Sequence, residues 1–148
     1  MKALSIRQPW CHHILQNGKD IENRSWPTKF RGTVLIHASK KVEDKDYCKI
    51  HNLDVGGIVG MIDIVDCVSD SKSNWYMGEY GFVLERPRPL PLIPCKGALG
   101  FFSPDITTQV VDLWFEDTLT EGQGSKILGM DIISFRKLCD EAPERQGQ

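Results

Sequence analysis

The apolar residues in the first hundred positions occur in short runs, and Gly, Pro or polar residues separate each run from the next. Runs of this length and composition predict β-strands, here at residues 2–6, 20–26, 33–38, 58–68, 80–85 and 96–102. Only residues 9–16 and 43–52 between them have helical character. Many short strands with few helices are typical of a small closed or partly open barrel. The sequence therefore predicts an α+β fold of about five to seven strands, with a helix after the first strand.

The character of the chain changes after Pro104. Residues 110–119 and 130–139 carry helical patterns, and Gly122-Gln123-Gly124 is predicted to be the loop between them. We therefore expect two domains. Residues 1–104 would form the barrel, and residues 105–148 a helical C-terminal extension packed on it.

Two features of the strand region depart from a simple pattern. Gly60 lies inside the longest strand candidate and indicates a bulge or a close backbone approach. The proline-punctuated residues 86–91 follow the fifth strand candidate, and Pro87–Pro91 is predicted to be a connecting loop, with a polyproline ligand as the alternative.

Composition limits the possible classes of protein. Net charge is −2, so nucleic-acid binding would need a local basic patch, and the 23 residues from 19 to 41 hold six cations. The sequence contains no apolar run of the ~20 residues that span a bilayer and no secretory signal, so we expect a cytoplasmic protein without membrane contact. The five cysteines include no Cys-x-x-Cys pair, so we predict reduced thiols and no metal site.

The segment from Gly18 to Trp26 carries the most chemical information. In a strand, Glu22, Arg24 and Trp26 share one face, and Lys19 enters from the preceding turn. Such a set can orient a planar polar ligand, because arginine presents a rigid fork and a carboxylate accepts from amines. It could also serve acid–base chemistry if Lys19 were desolvated. The same residues also fit an ordinary salt-bridge cluster on the surface.

Other candidate residues lie where strands meet turns. Arg7 and Gln8 lie between the first strand and the helix, and His37, Ser39 and Lys40 end the central strand. His37 also fits a hydrogen-bonded histidine of the core. The adjacent His12 and His13 would point about 100° apart on a helix and make a poor chelating pair.

The ordered motifs resemble those of the ASCH domain (activating signal cointegrator homology). The resemblance rests on Leu4–Trp10, on Gly18-Lys19 with Glu22–Trp26, and on three further segments, namely Arg31-Gly32 with Ile36–Ser39, Gly57–Cys67 and Pro94–Gly97. It covers about residues 1–104. The resemblance implies a barrel similar to the PUA fold, with a cleft beside the first helix that binds RNA or another nucleic acid.

The resemblance also implies which residues form the cleft. They would be Lys19, Glu22 and Arg24 with Arg7, Gln8 and Trp26 nearby, and we add His37, Ser39, Lys40 and Tyr80 as candidates. The expected ligand is single-stranded RNA or a splayed nucleotide, without a cofactor. Stacking would come from Trp26 or Tyr80.

Two other functions stay open. One is a hydrolase acting on RNA or a modified nucleoside, with Lys19 and Glu22 as catalytic residues. Similar amidohydrolases use a lysine and a threonine three residues later, and here Glu22 replaces that threonine. The other is a protein-interaction adaptor in transcription or RNA metabolism that uses the C-terminal helices. The oligomeric state is not predicted.

Overall fold

The computed structural model of the chain describes residues 1–143. Its strands are β1 (Ala3–Arg7), β2 (Ile21–Arg24), β3 (Gly32–Ser39), β4 (Gly57–Val68), β5 (Tyr80–Pro94) and β6 (Phe101–Phe102). Its helices are α1 (Trp10–Gln16), α2 (Lys45–Ile50), α3 (Thr107–Phe115), α4 (Glu121–Leu128) and α5 (Ile132–Glu141). None of these helices has the length and apolarity that crossing a membrane requires.

The strands form one mixed sheet in the order β2-β5-β4-β3-β1-β6. Within residues 1–143, the only parallel pair is β1 with β3, and α1 lies in the connection between them. The sheet curls into a half-barrel. Phe82 on β5 and Phe101 on β6 come from strands that β4, β3 and β1 separate in this order, yet their rings stack 6.2 Å apart. The predicted α+β class, with a helix after the first strand and helices at the C-terminus, is therefore confirmed.

The described chain contains two compact units, residues 2–104 and residues 105 onward with Met1. The core of the first unit is aliphatic, and its fully buried residues include Leu4, Ile14, Ile36 and Ile64. In the second unit, Phe135 is fully buried, and Gly124 lies so close to it that a Cβ atom there would approach the ring to 2.4 Å.

Gly60 shows why α1 can lie against the sheet. A Cβ atom at this position would lie 2.6 Å from Leu15 Cδ2 on α1 and 2.8 Å from the Arg88 carbonyl. The register of the β4–β5 ladder also shifts between Ile58 and Gly60. The bulge and close approach that the sequence predicts at Gly60 are therefore both present.

Three local predictions are wrong. The strand predicted at residues 96–102 is confined to β6, because the preceding residues form a loop that turns at Gly100 with φ of 66°. Residues 86–91 belong to β5 and are not a loop. Because β2 pairs with β5 only from Tyr80 to Val83, most of β5 pairs on one side only, and prolines are tolerated along such an edge. Residues 122–124 lie inside α4, where Thr120 and Gln123 form a capping box that begins the helix.

The β4 strand holds one buried carboxylate that connects three strands. Asp63 Oδ1 accepts hydrogen bonds of 2.6 Å from Thr33 on β3 and from Arg88 on β5, and Oδ2 accepts one of 2.6 Å from Arg86. Burial raises the pKa of Asp63, but these three bonds outweigh burial and bring the pKa to about 2. The folded protein therefore favours the ionised form of Asp63 more strongly than the unfolded chain does.

We expect this preference to appear as a pH-dependent stability. A lowered folded pKa stabilises the protein above the unfolded value of about 3.9, and this stabilisation is lost as pH falls toward about 2. Asp63→Asn should have a lower free energy of unfolding than the native protein at neutral pH. This difference between the two proteins should shrink as pH falls from about 4 to about 2. Urea denaturation of both proteins at a series of pH values measures their free energies of unfolding. The control is Asp66→Asn, which changes an exposed carboxylate on the same strand. An unchanged difference between pH 5 and pH 2 would contradict the account.

Candidate nucleic-acid interface

The turn between α1 and β2 brings Lys19 into the interior. Gly18 adopts a left-handed conformation with φ of 71°, and the Lys19 amide then donates to the His13 carbonyl at 3.0 Å. The chain therefore reverses directly after the helix. As a result, the side chain of Lys19 is only 3% exposed.

Lys19, Glu22 and Arg24 form a connected ionic group. Arg24 Nη2 lies 3.0 Å from Glu22 Oε2, and Lys19 Nζ lies 3.9 Å from Glu22 Oε1. The side chain of Glu22 is 9% exposed and that of Arg24 is 19% exposed. Glu22 therefore balances two cations in a largely water-excluded place, where ionic contacts are stronger than on a surface.

The surroundings of Lys19 favour its neutral form more than water does. Burial lowers its pKa and the positive charge of Arg24 lowers it further, whereas the negative charges of Glu22 and Asp20 raise it. Lys19 Nζ also donates to the Ile21 carbonyl. Its ammonium lies 5.6 Å from the Trp10 ring centre and 5.7 Å from that of Trp75, so two indole rings take part in cation–π contacts with it.

Arg24 is fixed by both its backbone and its side chain. It faces Tyr80 in the β2–β5 ladder, and its Nη2 donates to the Ser5 carbonyl of β1 at 2.8 Å. Its guanidinium carbon lies 5.8 Å from the Trp26 ring centre. The hydrogen bonds of Arg24 to Ser5 and to Glu22 both use Nη2. A guanidinium has five N–H donors, so the donors on Nε and Nη1 take no part in these two bonds.

His37 connects the central strand to the segment after β5. Its Nε2 lies 2.9 Å from the Cys95 carbonyl, which can only accept, so Nε2 carries the proton. In the neutral ring, Nδ1 then accepts from the Ser5 hydroxyl at 3.1 Å. Both ring nitrogens are therefore engaged, and the alternative of a hydrogen-bonded core histidine describes His37 well.

Two loops complete the site. Asn23 on β2 holds the first loop, because its amide donates to the Trp75 carbonyl at 2.9 Å and accepts from the Met77 amide at 2.9 Å. The second loop approaches at Gly97, where a Cβ atom would lie 2.7 Å from both His37 Cε1 and the Ser5 hydroxyl. Only glycine allows this approach without displacing the loop.

These elements enclose a cleft of about 1620 Å³ in the first unit. Ligand pockets usually measure about 300–1,000 Å³, so the cleft is larger than a single small ligand requires. Its charged lining consists of six basic residues and two carboxylates, namely Arg7, Lys19, Arg24, Lys40, Lys41, Lys96, Glu22 and Glu43. The cleft is therefore a basic region in a chain with a net charge of −2.

Most of the predicted site residues line this cleft. They are Arg7, Lys19, Glu22, Arg24, Trp26, His37, Ser39 and Lys40. Arg7 is half-exposed and forms a 2.8 Å ion pair with Glu43. Trp26 also packs edge-on against Phe82 at 5.3 Å, so part of its ring belongs to the core.

Gln8 and Tyr80 are not among the residues that line the cleft. The buried Gln8 side chain donates to the Asp54 carbonyl and accepts from the His12 amide, each at 3.0 Å. It thereby links α1 to the segment before β4. The half-buried Tyr80 takes its place in the β2–β5 ladder.

Sequence reasoning missed several residues of the cleft, among them Asn74, Trp75, Met77, Lys96 and Leu99. All of these lie in loops, where side chains show no periodicity that reveals their direction. One signal was available, because Trp75 and Met77 are large apolar residues in an otherwise polar segment.

The structure also locates the cysteines and the paired histidines. All five cysteines are free. His12 and His13 have ring centres 5.9 Å apart. Across residues 1–143, no three or more His, Cys, Asp or Glu side chains are arranged to hold a metal ion.

The chain belongs to the ASCH domain family, whose model matches residues 4–135. The match extends beyond residue 104, where the resemblance was expected to end, and includes α3, α4 and the start of α5. The fold is PUA-like, and this fold is generally linked to RNA binding.

The chain is also similar to activating signal cointegrator 1 from two mammals. It is 28% identical to the Homo sapiens protein over 86 residues, which cover 47% of this chain and 15% of that protein. It is 25% identical to the Mus musculus protein over 120 residues, which cover 64% of this chain and 21% of that protein. The chain thus spans only a small part of the length of these curated relatives.

The ionic group makes a direct prediction about Lys19. Replacing Glu22 by Gln removes the negative charge nearest its ammonium, so we expect the pKa of Lys19 to fall further below its usual value. NMR titration of lysine side chains measures this change, and the exposed Lys49 on α2, which does not line the cleft, is the internal control. A Lys19 pKa that is unchanged or raised in Glu22→Gln would contradict the described contact.

Proposed function

We propose that the cleft binds a nucleotide of single-stranded RNA. The observation that carries this proposal is the Lys19–Glu22–Arg24 group, of which Lys19 and Glu22 are buried, in the lining of a basic cleft that also contains three tryptophan side chains. RNA-binding proteins that read single strands combine cations for the backbone with aromatic rings for the bases. The cleft contains both.

The ionic group supplies the polar recognition. The Glu22 carboxylate accepts hydrogen bonds, so it suits an exocyclic amine of a base, such as that of cytosine or adenine. The Arg24 guanidinium donates to a base acceptor or a phosphate, and its contacts with Ser5 and Glu22 hold it in place before a ligand arrives. A fixed donor and acceptor side by side fit one edge of a base.

Indole rings supply the stacking surface. Trp10 is 38% exposed, which is unusual for so large an apolar ring in a folded chain, and the Trp75 ring centre lies 5.7 Å from the Lys19 ammonium. Base–aromatic stacking is worth about 1–3 kcal/mol for each base. Trp10 and Trp75 thus replace the sequence-based candidate Tyr80 in our proposal, because Tyr80 does not line the cleft.

The charge and size of the cleft favour a strand over a free nucleoside. An uncharged nucleoside has no phosphate with which the six basic residues of the cleft could pair. A strand carries one phosphate for each nucleotide, so it can pair with several of these residues at once. The volume of about 1620 Å³ also leaves space beside a single base.

Arg24→Ala should weaken binding of labelled single-stranded RNA by about 10–100-fold, because it removes a hydrogen-bonding charge from the proposed contact. Lys19→Ala should act in the same direction, and higher salt should weaken binding by the native protein. Fluorescence anisotropy measures all three effects.

The matched control for these variants is Lys49→Ala, which removes an exposed cation of α2 that does not line the cleft. Thermal melting checks that each variant is folded. If folded Arg24→Ala and Lys19→Ala bind every tested nucleic acid as the native protein does, the proposal is wrong.

A second candidate function is hydrolysis of RNA or of a modified nucleoside. The observation that favours it is the lowered pKa of the buried Lys19 beside the Glu22 carboxylate, since a lowered pKa makes a lysine better suited to act as a general base. Incubation with RNA and with a panel of modified nucleosides, followed by separation of products, tests it. Product formation that is absent in folded Lys19→Ala would support hydrolysis, and no product from any substrate would reject it.

A further inference from the structure

Two large apolar side chains of the cleft are almost entirely exposed. Met77 is 82% exposed and Leu99 is 99% exposed, and both line the cleft. A single exposed apolar residue on a surface needs no explanation. Here, however, the two residues come from the two separate loops that border one basic cleft.

Both loops are anchored close to these residues. The Met77 amide donates to Asn23, and Gly97 packs against His37 and Ser5 two positions before Leu99. Each apolar residue also precedes a glycine with a positive φ, 82° at Gly78 and 66° at Gly100. Glycines of this kind allow tight turns, so Met77 and Leu99 each lie next to the turn of an anchored loop.

We infer that Met77 and Leu99 are wedges that separate the bound base from its neighbours in a stacked strand. This inference rests on the proposed function. When a base leaves its stack, the neighbouring base loses a contact, and an inserted leucine or methionine restores apolar contact at that step. The ligand class is therefore a nucleotide inside a stacked strand, with its base turned out toward the Lys19–Glu22–Arg24 group.

The charge pattern supports this ligand over a free nucleotide. A free nucleotide reaches the ionic group without any neighbour to separate, so its binding gives no reason for two highly exposed apolar side chains in the lining of the cleft. A strand places phosphates on both sides of the turned-out base, and the basic lining, which includes Lys40, Lys41 and Lys96, suits them. Apolar wedges next to cations thus fit a base flanked by further nucleotides.

The test uses the full chain and an adenine-rich single strand of about nine nucleotides, with 2-aminopurine on either side of the central base, so that the probe reports on the neighbours and not on the base that meets the indole rings. 2-Aminopurine fluoresces weakly when stacked and strongly when unstacked. The native protein should raise its fluorescence on binding. The double variant Met77→Ser with Leu99→Ser should lose most of this rise and bind the strand about fivefold or more weakly.

The matched control is Ile50→Ser on α2. Ile50 is 78% exposed and belongs to the same compact unit, but it does not line the cleft. This variant should behave like the native protein. Because Met77, Leu99 and Ile50 are all highly exposed, none of these changes should alter the melting temperature.

The outcomes separate the two proposals. If the native protein binds the strand without a rise in fluorescence, or the double variant keeps the full rise and affinity, the wedge inference is overturned and the proposed function stands. If the native protein binds no nucleic acid of any length, the proposed function fails and the inference fails with it. If the double variant loses the rise in fluorescence and Ile50→Ser keeps it, the wedge inference is supported.

Discussion

The buried contact between Lys19 and Glu22 is the constraint on which the site depends. Removing an ion from water costs several kcal/mol, and this cost is offset only when an opposite charge and further hydrogen bonds are in place. Glu22 and the Ile21 carbonyl supply these for Lys19, and Arg24 balances the remaining charge of Glu22. Changing Glu22 removes the opposite charge from both cations, whereas changing either cation leaves Glu22 with the other as its partner.

The fold serves this ionic group by fixing its neighbours. The parallel pairing of β1 with β3 places Ser5 beside His37, and the Ser5 carbonyl then accepts from Arg24. Gly60 lets α1 lie close to β4, and α1 leads directly into the Gly18 turn that turns Lys19 inward. The positions of the charged atoms thus follow from backbone geometry as much as from side-chain choice.

The regular elements could be predicted because their side chains alternate. The alternation in residues 20–26 put Glu22 and Arg24 on one face, and their 3.0 Å contact agrees with that placement. The loops could not be predicted in this way. The local sequence does not reveal that Asn23 forms hydrogen bonds with the backbone of Trp75 and Met77, because these bonds join residues more than fifty positions apart.

Errors in the fold prediction had a similar cause. The prolines of β5 are compatible with a strand because β2 pairs only with the first residues of β5, which leaves the rest of that edge unpaired. How far β2 extends along β5 depends on the whole sheet and not on the local sequence. Likewise, Gly124 belongs in a helix because Phe135 requires a small neighbour there. In both cases a tertiary contact overrides the local preference of the residue.

The most direct test of the central claim follows the indole N–H signals of the four tryptophans by NMR while single-stranded RNA is added. Trp10, Trp26 and Trp75 line the cleft, whereas Trp114 lies on α3 and serves as an internal reference. If the cleft binds RNA, the signals of Trp10 and Trp75 should move with saturation while that of Trp114 stays in place. Movement of Trp114 alone, or no movement at all, would contradict the account.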